Sequence, residues 1–569
     1  MSNHVIILGG GVAGMSAAHE LIDRGFRVTV YERKPVPGGK ARSIDVPNSG
    51  TDGRRDLPGE HGFRFFPRFY KHLPDTMSRI PYGSGSCADN LVQTTRIEMA
   101  QYGKAPVVSI SRFPRSLDDL KTVFKMFEDS NTGITEHDTQ VFAGKMWQVL
   151  TSCQERRLAE YEAINWWSFI DADNQSPAYQ KFFGHGITRS LVAAKAHKAS
   201  ARTMGDIMAQ MMLDIMRPGV SADRLLNGPT DDVWIMPWLN YLRSRGVEYI
   251  MSTEVKGFRC DAKGITGVDI EVSGAPSTVT ADYYLCAMPI ERIAPLITPE
   301  MIAIDQQLGG LPTLAKNVEW MNGIQFYLAQ DEPIDHGHTI YIDSQWSLTS
   351  VSQHQFWANV DLSKFGNGKV NGILSVDISD WTTKGLNGKA ARDCTREDVM
   401  KEVWNELKTS LNVDGKQVLS DADLVTWYLD PDIVAQDDNK GVITSNTEPL
   451  LVNLINTWAL RPEATTLIPN LFLASDYVRT NTDLATMEGA NEAARRAVNC
   501  IISASGKRVP LCKIWRLHEP SIFGILRWLD LRRFNRGQNW RNEAPWLFRL
   551  IHFLSYWIHR LLGQTHRHA

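Results

Sequence analysis

The sequence predicts an α/β fold in which a parallel-sheet nucleotide domain is interleaved with an α+β domain and followed by an amphipathic helical tail. Three observations predict it. An apolar strand at the N-terminus runs straight into a glycine-rich turn, a second apolar strand ends in a carboxylate at Asp476, and the composition becomes basic and Trp-rich after Gly506. A chain of 569 residues has room for about three or four domain-sized units. Its apolar and charged fractions, 43% and 22%, are those of a globular protein and exclude a disordered or collagen-like chain. Seven cysteines, odd in number and without a Cys-x-x-Cys pair, argue against a disulfide framework or a zinc ribbon and for a reducing compartment. No metal-ligand cluster, Ser-His-Asp set or Cys-His pair is evident. The early Val5-Ile6-Ile7-Leu8 run does not read as a signal peptide, and no stretch of about 20 uncharged apolar residues predicts a membrane span.

The first 45 residues carry the strongest motif. Val5 to Leu8 reads as a buried parallel strand, followed by G-x-G-x-x-G at Gly9, Gly11 and Gly14. Gly9 permits the tight turn, Gly11 a close approach to a pyrophosphate, and Gly14 close helix–strand packing. Val12 and Ala13 open a helix whose free N–H groups face that pyrophosphate. A second strand over 26–31 ends at Glu32, placed to accept hydrogen bonds from a ribose and to repel a 2′-phosphate, with Arg33 next to it.

Pro37-Gly38-Gly39-Lys40-Ala41-Arg42 follows, then Gly59-Glu60-His61-Gly62-Phe63-Arg64-Phe65-Phe66. With these segments the chain resembles the FAD-dependent amine oxidase and phytoene desaturase-like flavoproteins, a superfamily that includes carotenoid-type desaturases and hydroxysqualene dehydroxylase-like proteins. The resemblance implies a glutathione-reductase-like, Rossmann-type domain holding non-covalent FAD. It sets Arg42 at the pyrophosphate with Gly38, Gly39 and Lys40. It runs Gly59, Glu60, His61 and Gly62 beside the flavin ring. His61 and Arg64 are the catalytic candidates it offers.

The C-terminal strand, Leu471-Phe472-Leu473-Ala474-Ser475-Asp476, and the helix start Thr486-Met487-Glu488-Gly489-Ala490 match the segment that closes the FAD domain in the same superfamily. Ser475 replaces the usual Gly, and Asn491-Glu492 departs from the usual Ser-Gly. Asp476 is expected at the ribityl hydroxyls. Met487, Glu488 and Ala490 are expected at the flavin edge that becomes negative on reduction, where a helix N-terminus raises electron affinity. Segments 246–250 and 253–255, with Val255, resemble the strands covering the adenine, and 281–289 the return strand. The implied division is an FAD-binding domain over 1–84, 231–300 and 465–505, a substrate domain over 85–230 and 301–464, and a tail over 506–569.

Segment 85–230 reads mostly as helices, among them 140–151 and 201–216, the latter capped by Ser200. Met208, Met211, Met212 and Met216 share one face of it, as core or as a deformable lipid-facing wall. Segment 310–460 turns to strands, over 323–328 and 339–342, and to aromatics: Trp346, His354, Trp357, Trp381, Trp427, Tyr428 and Trp458. Amine oxidases of the superfamily place a lysine near the flavin, and Lys316 does not align with that position.

The net charge of −3 hides an asymmetry: residues 507–569 hold twelve Lys/Arg against three Asp/Glu, or +9, leaving −12 for the rest. The overall balance argues against nucleic acid. Two helices are expected in the tail, over 521–534 and 545–562, the second with a narrow basic strip and a wide apolar arc suited to an anionic membrane surface. The expected protein is therefore a cytoplasmic FAD-dependent oxidoreductase, peripheral on the cytoplasmic face of the membrane. It desaturates a long hydrophobic isoprenoid- or lipid-like substrate and passes electrons to oxygen, a quinone or another acceptor. The alternatives are a peroxide-producing flavin amine oxidase and an FAD-dependent isomerase, hydratase or cyclase without net redox change.

Overall fold

The computed structural model describes residues 3–110, 132–186, 195–215 and 221–542. The chain opens with β1 (His4–Leu8), α1 (Val12–Ile22) and β2 (Arg27–Tyr31), and leaves this unit for β3 (Arg96–Gln101) and β4 (Lys104–Ile110). Helices α2 (Glu136–Thr151) and α3 (Ala201–Ile215) follow, then the return through β5 (Glu248–Ile250), the three-stranded meander β6 (Thr253–Asp261), β7 (Gly264–Val272) and β8 (Ala275–Val279), and β9 (Tyr283–Cys286). A second excursion gives β10 (Asn322–Leu328), β11 (Gly337–Tyr341), β12 (Leu348–Ser352), β13 (Gly372–Ile378), α4 (Arg396–Leu411) and β14 (Leu424–Leu429). The chain closes with β15 (Leu471–Leu473), α5 (Met487–Ser505) and α6 (Gly524–Phe534).

Two sheets organise the molecule. The first is parallel, in the order β15-β9-β1-β2-β5, and joins segments far apart in sequence: Val5 pairs with Tyr283, and Tyr284 with Leu471. Its strands are nearly continuous apolar runs because helices cover it, and α1 is buried from Val12 to Leu21. The second sheet runs β14-β10-β13-β12-β11-β3-β4, antiparallel except where β11 meets β3. Alternation sets its faces: Ile324, Phe326, Leu328, Val376 and Ile378 join Val399, Val403 and Leu407 of α4 in one core, so the intervening residues face the opposite way. Segment 91–110, expected within a helical region, forms strands instead. Arg-Ile-Glu-Met-Ala-Gln over 96–101 alternates with period two, and its parallel partner β11 lies some 240 residues on, beyond any local reading. The helices expected over 140–151 and 201–216 are α2 and α3.

Residues 507–542 lie across the body. Arg24 donates to the Pro510 carbonyl at 2.7 Å, the Trp515 N–H to His72 Nε2 at 2.9 Å, and Arg156 Nε stands 3.0 Å from Asp530 of α6. α6 matches the first helix expected in the tail, and the second, over 545–562, lies outside the described residues. Among the described residues no helix is long and apolar enough to cross a membrane.

A buried polar knot ties α5 to α1. Arg495 donates to the Asn491 side chain at 2.9 Å, the His72 carbonyl at 3.0 Å and Asp75 at 2.6 Å, and lies 3.5 Å from Glu20 of α1. Burial alone raises the Glu20 carboxyl, but Arg495, Arg79 and Arg24 together bring it down to about 2. Arg495→Ala leaves Glu20 and Asp75 underpaired and is expected to destabilise the protein by about 3 kcal/mol, read as a lowered denaturant midpoint with α1 and α5 losing amide protection together.

Candidate active site

The strands of the parallel sheet end together, and a cavity of about 500 Å³ lies beyond their carboxyl ends. This is where open α/β sheets bind nucleotides. Gly9 has φ +106°, and a Cβ there would lie 3.0 Å from the Ala287 carbonyl carbon. A Cβ on Gly14 would sit 1.9 Å from the Gly9 carbonyl oxygen, so α1 can start this close to β1 only with glycine. The second glycine loop clamps onto the first, with the Gly38 N–H donating to the Gly10 carbonyl at 3.1 Å. Glu32 accepts from the Gly10 and Lys34 N–H groups at 2.7 and 2.8 Å, and burial raises its pKa despite them. Ser475 holds φ +113°, a conformation suited to the glycine expected there, and Asp476 beside it lines the cavity. Opposite, the Thr486 side chain caps α5 by accepting from the Gly489 N–H at 3.2 Å, and Met487 and Ala490 reach the wall.

Most residues expected at the cofactor do line this cavity: Gly9, Gly11, Val12, Ala13, Glu32, Arg33, Gly38, Gly39, Lys40, His61, Gly62, Val255, Ser475, Asp476, Met487 and Ala490; so does the catalytic candidate Arg64. Five stand behind it. Gly14 packs helix on strand. Gly59 faces the Ile44 carbonyl and the Tyr428 ring. Arg42 donates to Asp432 at 2.6 Å and to the Gly39 carbonyl at 2.7 Å. Glu60 accepts from Ser43 at 3.0 Å and from the Thr230 N–H at 2.9 Å. Glu488 accepts from the N–H groups of Lys71, His72 and Leu73 at 2.7–2.8 Å and from the His72 ring.

At the inner end, His61 Nδ1 lies 2.6 Å from Asp430 and 3.5 Å from Asp432. Burial opposes charge on His61, but these carboxylates outweigh it and raise its pKa. The trio has the composition of a metal site, yet Arg42 and Lys34 already neutralise Asp432, Lys34 at 2.9 Å. Arg64 is spent on main-chain carbonyls, donating to Lys40 at 2.6 Å and to Gly62. Burial lowers its pKa.

Sequence reasoning missed Tyr70, Met204, Met321 and Asp377, all on the wall. Met204 is one turn upstream of the methionines singled out in α3. Met204 and Met208 both pack with Trp166 and Phe169, Met212 lies against that core and Met211 against the core of the parallel sheet, so these methionines are core, and Met216 lies outside the described residues. Trp346 and Trp381 fill the core under α4, Trp357 a second core, and Trp458 stacks on Arg202 at 4.3 Å; these and His354, Trp427, Tyr428 and Lys316 are not among the residues lining the cavity.

The site fits FAD. Glycine-framed turns, a helix N-terminus, a carboxylate at the end of β2 and a second helix N-terminus at α5 surround one elongated wall. A family model described as NAD(P)-binding Rossmann-like domain matches residues 7–80, and one described as flavin containing amine oxidoreductase matches 225–502. A probable zeta-carotene desaturase of Synechococcus elongatus is 24% identical over 88% of this chain and 98% of its own length. A hydroxysqualene dehydroxylase of Sinorhizobium fredii is 23% identical over 88% and 99%. An all-trans-zeta-carotene desaturase of Myxococcus xanthus is 36% identical, but the chain spans only 22% of its length, and only 15% of a carotenoid phi-ring synthase of Streptomyces griseus. Cyclohexylamine oxidase of Brevibacterium oxydans shares the fold, with TM-score 0.59 and 14% identity over 89% of this chain and all of its own.

Burial raises Glu60 from its ordinary 4.5 to about 7, against the pull of Arg64 and the Thr230 N–H. The folded state thus keeps a proton that the unfolded chain releases, so this group's contribution to stability falls as pH rises from about 4.5 to about 7 and is level above. Thermal midpoints of wild type and Glu60→Gln across that range are expected to diverge, the variant having the flatter curve. The matched segments, the parallel sheet and the glycine-framed cavity together make the chain similar to NAD(P)-binding Rossmann-like domains over residues 7–80 and to flavin containing amine oxidoreductases over 225–502.

Proposed function

We propose that the protein is an FAD-dependent oxidoreductase that desaturates a long apolar, isoprenoid- or lipid-like chain at a membrane surface. The observation that carries this reading is the end-to-end likeness to a desaturase and a dehydroxylase named for isoprenoid substrates. The cavity wall supports it: Phe63, Phe65, Met204, Met321, Leu451 and Leu484 offer an apolar bed to a chain lying against the flavin site. In the reaction, a hydride and a proton leave adjacent carbons and a C=C bond forms. FAD, which Gly9, Gly11, Glu32 and Asp476 would hold, would supply the two-electron acceptor, with oxygen, a quinone or another acceptor as the final oxidant.

The chain's own residues place and insulate. The α5 N-terminus presents positive charge to the cavity. Asp430, 2.6 Å from His61 Nδ1, and Asp432, at 3.5 Å, hold the His61 ring at the wall and favour its protonated form. Phe63 and Phe65 exclude water. Substrate–product analysis of the FAD-loaded protein in liposomes tests the reading. A polyene or acyl chain gaining a double bond with stoichiometric flavin reduction is expected, and peroxide formation with an amine panel alone would replace it by the amine-oxidase reading.

Surface attachment is supported by the tail. Leu511, Ile522, Ile525 and Trp528 are 60%, 56%, 43% and 52% exposed, and Arg532, Arg533, Arg536 and Arg541 line a cavity of about 270 Å³ beside α6. Exposed apolar side chains next to clustered arginines suit an anionic lipid surface. The double variant Ile522→Glu/Ile525→Glu is expected to weaken sedimentation with phosphatidylglycerol vesicles by about tenfold or more, with flavin content unchanged.

A further inference from the structure

The cavity of about 270 Å³ between α2 and α6 shares no lining residue with the cavity at the strand ends. Trp147 and Thr151 of α2 form one wall, Leu526, Leu529 and Asp530 of α6 a second, and Gln538, Trp540 and Arg541 a third. The chain turns back after α6 at Gly537, which holds φ +66°, and Arg533 Nε donates to the Asn539 carbonyl at 3.2 Å. Two indoles tie the walls together: Trp147 Nε1 donates to the Asn542 side chain at 3.2 Å, and Trp540 Nε1 to the Thr151 hydroxyl at 3.2 Å. Hydrogen bonds thus frame this pocket on opposite sides.

Four arginines line the pocket, Arg532, Arg533, Arg536 and Arg541, against a single carboxylate, Asp530. That carboxylate is already committed, accepting from Arg156 Nε at 3.0 Å and from the Cys153 N–H at 2.9 Å. Among the described residues neither Arg532 nor Arg536 forms an ion pair, and the Arg532 guanidinium lies over the Trp528 ring at 4.9 Å. The negative end of α6 accounts for Arg532 and Arg533 in its last turn, but not for Arg536 and Arg541 beyond it. Like charges around one concavity repel, and a bound anion relieves the repulsion. Guanidinium forks suit a group with several anionic oxygens, as phosphate has, better than a carboxylate with two. The volume is below the roughly 300–1,000 Å³ of sites for drug-sized ligands, so the pocket admits a headgroup-sized one. Ile525, Trp528 and Arg532 recur at i, i+3 and i+7, so the exposed Ile525 and Trp528 form a ridge that leads along α6 to the arginines.

We propose that this arginine pocket binds the phosphate of a lipid headgroup, with the Ile525–Trp528 ridge against the adjoining apolar chains. The site rests on the surface-attachment reading and sharpens it: the tail recognises phosphate itself and is not merely drawn to negative charge.

The test uses the full FAD-loaded protein and two vesicle populations in a phosphate-free galactolipid background, one containing phosphatidic acid and the other oleate, adjusted to equal zeta potential. Sedimentation reads binding, and flavin content reports that each variant keeps its fold. Wild type is expected to bind the phosphatidic acid vesicles about tenfold more tightly than the oleate vesicles. Arg532→Lys/Arg536→Lys, which keeps the charge and loses the forks, is expected to bring that ratio to about twofold or less while binding persists. Arg532→Gln/Arg536→Gln is expected to weaken binding to both populations, phosphatidic acid the more. Inorganic phosphate and glycerol 3-phosphate serve as soluble probes, read by phosphorus NMR line broadening. Equal binding of the two populations by wild type overturns the site and leaves surface attachment standing. Full preference in the lysine variant assigns the effect to charge alone and likewise overturns it. Arginine-dependent broadening of the soluble probes without vesicle preference gives the pocket to a soluble phosphate and overturns the headgroup. If wild type binds neither population, surface attachment falls and the headgroup site with it.

Discussion

The site exists only while α5 stays against α1. The two helices start 475 residues apart, yet their N-termini must converge on one cavity from opposite sides. Apolar packing alone could let them slide. Hydrogen bonds fix the register: Asn491 donates to Ser16 at 2.8 Å and to Thr76 at 2.9 Å, while Arg495 reaches from α5 to Glu20 of α1. Buried charges of this kind are expensive unless fully partnered, so the arrangement admits few alternatives. Glu488 extends the same knot. Its carboxylate collects three N–H groups at the start of the short helix His72–Met77 and so ties the first turn of α5 to the N-terminal segment of the nucleotide domain.

That knot also explains the described part of the tail. The Trp515 N–H donates to His72 Nε2, which makes Nε2 an acceptor and places the ring proton on Nδ1, aimed at Glu488 2.7 Å away. Residues 507–542 are thereby joined to the helix start that faces the cavity. A chain whose acidic body and basic tail differ by charge could be held by long-range attraction alone, but screening would weaken that at physiological salt. Specific contacts carry the docking instead: Arg156 with Asp530, and Arg157 with Glu519 at 2.7 Å.

Legibility in the sequence followed the range of the interactions. The turns that approach the dinucleotide are local, and each glycine there answers a constraint a few residues away, so the spacing from Gly9 to Glu32 and the Asp476 strand could be read directly. The resemblance carried Arg42 and Glu488 as residues of the cofactor site, and the structure shows both side chains bonded to protein groups behind the wall. A motif states which residue types travel together, and says nothing about whether the ligand or a neighbouring loop accepts the bond. Strands β3 and β4 were missed for a related reason. β4 pairs only with β3, and β3 joins the sheet through β11, far along the chain; the alternation over 96–101 was available but was outweighed by the helical character of the residues that follow.

The buried polar side chains on one face of the second sheet, Gln325, Ser375, Asp377, Thr349 and His338, lay furthest from sequence reasoning, because they come from four strands and no two adjacent positions. Ser375 and Asp377 share the period-two signature with Ile373, and only pairing with β10 and β12 reveals which neighbours they meet. In an ordinary sheet over an apolar ligand these positions would carry Val, Ile or Leu, as the opposite face of the same strands does with Leu374, Val376 and Ile378. The same strands thus obey the hydrophobic pattern toward α4 and break it on the opposite face, where only Asp377 reaches the cavity. A break confined to one face, in the most buried part of the sheet, is the form a functional constraint takes when it overrides packing.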